Sequence, residues 1–129
     1  MIWKCTDKNI EYGDKPLVMG IVNVTPDSFS DGGDHFTPEA AVEYALKLVE
    51  NGADILDFGA QSTRPGYTEI SPIEEMDRLE PVISKVRAQT DVPISIDTYF
   101  PVVAFNTIEW GANIINDVSG VITEKMAKV

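Results

Sequence analysis

The chain has 129 residues, 43% hydrophobic and 24% charged, the composition of one ordinary globular domain. Ten basic against twenty-one acidic residues leave a net charge of -11, which weighs against nucleic acid and anionic membrane surfaces as partners. No stretch approaches the ~18 apolar residues of a membrane span, and residues 1–5 are too short and polar for a signal peptide. The lone Cys5 has no disulfide or metal-site partner. A cytoplasmic enzyme or binding protein fits.

Residues 1–16 have hairpin character. From there the chain alternates brief apolar runs with longer amphipathic ones. The apolar runs, residues 17–22, 54–58, 93–96 and 113–116, are rich in Ile, Leu and Val, as expected of parallel strands buried on both faces. The first is followed by the long polar loop NVTPDSFSDGG, which begins at Asn23; loops of this length in compact domains are commonly functional or disordered. A helix then starts at Thr37, which can cap with Pro38 at the first helical position.

After the second strand comes GAQSTRPGY, whose Arg64 is the only Lys or Arg between Lys47 and Arg78. Ser71, Pro72 and Glu74 form a capping box for the next helix, which carries Ile73, Met76, Leu79, Ile83 and Val86 as one apolar stripe. A third helix is expected over residues 101–110, with Gly111 as its stop. Residues 123–129 read as the opening of a fourth. GADILD at 52–57 and GANIIN at 111–116 echo each other: a helix-ending glycine leads into a strand that ends in a polar residue.

Four strand–helix repeats give a doubly wound sheet or an arc of a barrel. The first strand's loop lacks GxGxxG, which removes the best support for a dinucleotide-binding fold. Polar residues at four strand ends, Asn23, Asp57, Asp97 and Asn116, instead suggest a (β/α)8 TIM barrel, whose catalytic face is built from strand ends. Such a barrel takes about 250 residues, so this chain is expected to supply the first four β/α units, the amino-terminal half of one domain. Left alone, that half would expose two strand edges and an apolar inner face.

MGIVNVTPDSFSDGG, LDFGAQSTRPG, PISIDT and ANIINDVSG, in that order over residues 17–120, resemble the signatures of dihydropteroate synthases. The resemblance implies condensation of 6-hydroxymethyl-7,8-dihydropterin diphosphate with p-aminobenzoate, giving 7,8-dihydropteroate and diphosphate for folate synthesis. The alternatives are a pterin-binding methyltransferase domain and a non-catalytic synthase homologue.

A carboxylate and a carboxamide at neighbouring strand ends can read the edge of an amino-oxo heterocycle, although Asp97 also suits a helix cap and Asn116 a loop contact. The resemblance makes both pterin-binding, with Val118 against the ring. It assigns Asn23 to the diphosphate and to Mg2+, and Thr63 to the diphosphate as well. Phe29, Thr63, Arg64 and Pro65 then form the p-aminobenzoate pocket under two mobile loops, and Asp31 and Arg64 are the expected catalytic pair. An Arg64–Asp31 or Arg64–Glu69 ion pair is an equally simple use of that arginine.

The family's GGES is GAQS here, so neutral Gln61 stands where a glutamate is usual. Any hold that this carboxylate has on the second loop is expected to be weaker. Asp57 reads as a structural acceptor and His35 as a solvated loop residue. The family keeps its main basic groups in strands five to eight, so the segment alone is expected to be inactive and the full-length protein a homodimer.

Overall fold

The computed structural model describes residues 1–5, 7–26, 37–62 and 65–129. An antiparallel hairpin, β1 (Ile2–Lys4) with β2 (Asn9–Glu11), precedes a parallel sheet of β3 (Met19–Asn23), β4 (Ile55–Gly59), β5 (Ile94–Asp97) and β6 (Ile114–Asn116). The crossovers are α1 (Pro38–Glu50), α2 (Pro72–Arg87) and α3 (Pro101–Glu109), and α4 (Glu124–Ala127) follows the last strand. The order β3-β4-β5-β6 never reverses. Successive right-handed crossovers then place every helix on one face, which is the winding of a barrel and not of a doubly wound sheet.

The helix starts are where the sequence puts them. The Thr37 hydroxyl accepts from the amide of Ala40 at 3.2 Å, and that of Ser71 from Glu74 at 3.2 Å. Each satisfies an otherwise orphaned first-turn donor. Gly111, at φ 105°, ends the third helix in the left-handed region that only glycine enters freely.

The core lies between the helices and the outer face of the sheet, where Val22, Leu56, Phe58, Ile94 and Ile96 meet Ala45, Leu79, Val82, Ile83 and Val86. Helix α1 lies so close to β3 that a Cβ on Gly20 would stand 3.0 Å from Leu48 Cδ1. Two expectations need correction. Ile73 is 68% exposed; it sits in the first turn of α2, ahead of the buried stripe, which begins at Glu75 and includes Val82. Nor is every strand buried on both faces. On β3, Met19, Ile21 and Asn23 are exposed and only the alternate residues covered, since no described residue lies across the inner face there.

At the foot of the sheet, Arg87 of α2 donates to the carbonyls of Gly111, Thr90 and Val92 and to Asn113 Oδ1. Asn113 Oδ1 also accepts from the amide of Ile94 at 3.0 Å. One guanidinium thus fastens the entry points of β5 and β6. Among the described residues no helix is long and apolar enough to cross a membrane.

Candidate active site

Parallel register places Asn23 opposite Gly59, Gly59 opposite Asp97, and Asp97 opposite Asn116. Residues paired in this way share a face, so one row of side chains crosses the inner face at the carboxyl ends of all four strands. Gly59 leaves a gap in it. Asp97 leans toward that gap, with Oδ2 3.6 Å from where a Gly59 Cβ would be.

Asp57 is not in this row. It is the middle residue of β4, which runs on to Gly59, and it pairs with Ile21 and Ser95 one row down. The echo between residues 52–57 and 111–116 matches the helix-to-strand turns and not the register. Asp57 is nevertheless coupled to the rim: its Oδ2 accepts from Asn116 Nδ2 at 3.4 Å. Its Oδ1 and the Ser95 hydroxyl are buried without a hydrogen-bond partner.

Two simple alternative roles for the rim residues do not hold. The amide of Phe100, at the start of α3, is taken by Thr98 Oγ1 at 3.1 Å and not by Asp97. The loop after β6 is held by Asp117, whose carboxylate accepts from the amides of Ser119 and Val121. Burial works against the Asp117 charge, but these amide bonds keep its carboxyl below the ordinary range. Asp97 therefore does not cap α3, and the Asn116 side chain, which donates to Asp57, does not tether the loop. Burial pushes the Asp97 carboxyl up, with the charges of Asp57 and Asp117 adding to it, and no described residue donates to its carboxylate. It is an acceptor waiting for donors.

Asn23 is exposed at the far end of the row. Val118 is 79% exposed and takes no part in the core. Pro65 is exposed beside the second loop. Phe29, Asp31, Thr63 and Arg64 lie outside the described residues, as does His35. The second loop is drawn together by Gln61, which accepts from the amide of Ile70 at 3.1 Å and donates to the carbonyl of Thr68 at 3.4 Å. A carboxylate can only accept. The amide therefore makes one bond, to the Thr68 carbonyl, that a glutamate cannot.

Glu75 and Thr98 were not among the residues singled out by the sequence. Glu75 is 1% exposed and accepts from the Thr98 hydroxyl at 3.3 Å, directly behind Asp97. Its signal is a carboxylate at the head of an apolar stripe, four residues before Leu79 and seven before Val82. Nearby, Tyr99 is pushed up to about 12 by burial, with the neighbouring Glu69 carboxylate adding to it.

Among the described residues no group of three or more His, Cys, Asp or Glu is placed to hold a metal ion. Two hollows of about 890 and 660 Å³ lie at the foot against the hairpin and are lined by Tyr12, Asp14 and Lys15, away from the row of strand-end side chains.

A family profile described as "Pterin binding enzyme" matches residues 19–129. Dihydropteroate synthase of Clostridium beijerinckii is 47% identical over 127 residues, 98% of this chain and 47% of its own length. That of Bacillus subtilis is 48% identical over 121 residues, 93% of this chain and 42% of its own. Among solved structures, Xanthomonas albilineans dihydropteroate synthase with 4-aminobenzoic acid superposes with a TM-score of 0.89 at 48% identity, covering 98% of this chain and 47% of that one. The same enzyme in complex with 7,8-dihydropteroate gives 0.85 at 43%, covering 99% of this chain and 46% of that one. The chain spans about half the length of the relatives it matches.

Proposed function

The chain belongs to the pterin binding enzyme family, and we propose from that premise that it is the amino-terminal half of a dihydropteroate synthase. The reaction joins 6-hydroxymethyl-7,8-dihydropterin diphosphate to p-aminobenzoate. The methylene C–O bond breaks, diphosphate leaves with its electrons, and the arylamine nitrogen forms the new C–N bond and loses a proton. The observation that carries the reading is the register row Asn23–Gly59–Asp97–Asn116. It sets Asp97, to which no described residue donates, beside the carboxamide of Asn116, with the side-chain-free Gly59 on its other flank.

In this reading Asp97 accepts from the ring's N–H donors, Asn116 meets its other polar edge, and Val118 lies against its face. Asn23 faces the diphosphate with Thr63. Its exposed amide oxygen suits Mg2+, which takes oxygen ligands and fills most of its shell with water and phosphate oxygens; the ion would take up charge on the leaving group. Phe29, Thr63, Arg64 and Pro65 form the p-aminobenzoate pocket, and Asp31 and Arg64 act as the loops close. Asp57, Asp97 and Asp117 make this half of the rim acidic, so most of the basic groups that receive diphosphate belong to the other half. A cytoplasmic, homodimeric full-length enzyme completes the proposal.

The test is turnover. The full-length parent chain is expected to form 7,8-dihydropteroate from the two substrates, and a purified 129-residue chain to form none. A full-length protein that binds pterin but transfers methyl groups instead would overturn the reading.

A further inference from the structure

Thr98 is held on three sides. Its hydroxyl donates to Glu75 on α2 at 3.3 Å and accepts from the amide of Phe100 at 3.1 Å, while its own amide donates to the carbonyl of Asn116 at 3.3 Å. It directly follows Asp97, and both it and Glu75 are buried. This one residue therefore joins a helix start to the two strand ends that carry the rim's acceptor and its carboxamide.

We propose that Glu75 is a positioning residue for the pterin site: by holding Thr98 it fixes the ends of β5 and β6, and so the angle at which Asp97 and Asn116 meet the heterocycle. The inference rests on the functional reading above.

A buried carboxylate is tolerated when it is paired or uncharged. Among the described residues no Lys or Arg pairs with Glu75; the nearest candidate on its own helix, Arg78, is engaged by Glu74 and the carbonyl of Ala60. The ionisable groups that face Glu75 are Asp97 from β5 and Tyr99 just beyond it. Burial raises its carboxyl to about 7, the Thr98 bond opposing this and the Asp97 charge adding to it. Around neutrality Glu75 therefore spends much of its time uncharged, holding Thr98 without setting a second full charge behind Asp97. Its work is done one residue away from the ligand.

The full-length parent chain tests this with Glu75→Leu, Glu75→Gln and Thr98→Val. Loss of the buried bond is expected to raise the KM for the pterin diphosphate about tenfold in Glu75→Leu and in Thr98→Val, with the KM for p-aminobenzoate unchanged. Glu75→Gln, the same shape without the charge, is expected to restore the pterin KM to within about twofold of wild type. An infrared band of a protonated carboxyl, seen below about pH 7 in the wild type, should be missing from Glu75→Gln. If Glu75→Leu does not fold, Thr98→Val and the infrared band decide. Wild-type pterin KM in the folded variants, equal rises in both KM values, or no such band would overturn the proposal while the synthase reading stands. A wild-type chain that binds no pterin overturns both.

Discussion

Asp97 and Asn116 face each other as the last register pair of β5 and β6, yet neither is hydrogen-bonded to the other. Asn116 turns its amide down to Asp57, and Asp97 is left with like charges on two sides and no donor among the described residues. Such an arrangement costs stability in the free protein, and in the proposed reading a ligand that brings N–H groups offsets that cost.

Asp97→Asn in the full-length chain is therefore expected to weaken pterin binding by roughly 10- to 100-fold, the value of hydrogen bonds to a charged acceptor. At pH values above the ordinary carboxylate range, the same change should raise the urea midpoint, because it removes a charge that burial, Asp57 and Asp117 all oppose. Calorimetric titration and urea unfolding check the two signs.

Glu75 gives the fold a pH dependence of definite sign. Its carboxyl rises from about 4.5 in the unfolded chain to about 7 in the fold, so the folded state binds the extra proton between those values. Stability should then fall as pH rises through that window and level off above it, by on the order of 2 kcal/mol. Glu75→Gln should flatten most of this slope, leaving the part due to Asp97, whose carboxyl is also raised. Unfolding midpoints taken from pH 4.5 to pH 8 test it.

Gln61→Ala removes both bonds that close the second loop. Exchange of the Ile70 amide hydrogen should quicken by about five- to tenfold, as for one lost hydrogen bond of ~1 kcal/mol. Gln61→Glu should protect Ile70 and lose only the weaker contact with Thr68.

Arg87→Ala strands the carbonyls of Gly111, Thr90 and Val92 and frees Asn113 Oδ1. A loss of about 2–4 kcal/mol in urea unfolding is expected. Arg87→Lys should recover little of it, since an ammonium cannot reproduce the planar fork.

The helices were readable because their start signals are local: Thr37 with Pro38 and Ser71 with Glu74 act within one turn. The strand ends were readable to a residue or two only, since the ladder is set by neighbours far away in sequence. This is why Asp57, apparently terminal, proved to stand two residues before the rim. Asn23, Asp97 and Asn116 were found because each is a polar residue that closes an apolar run. Glu75 was missed for the opposite reason: its exposed neighbours Glu74 and Ile73 disguise it, and hydropathy reads a carboxylate as surface. Only the pairing of α2 with Thr98 reveals which of two adjacent glutamates is inside.

The Arg87 fastening sits at the entrance to β5 and β6, at the opposite end from the rim row. Anchorage and the polar rim row thus occupy opposite poles of the same strands. The groups that Arg87 holds include none of the rim residues Asn23, Asp97 and Asn116.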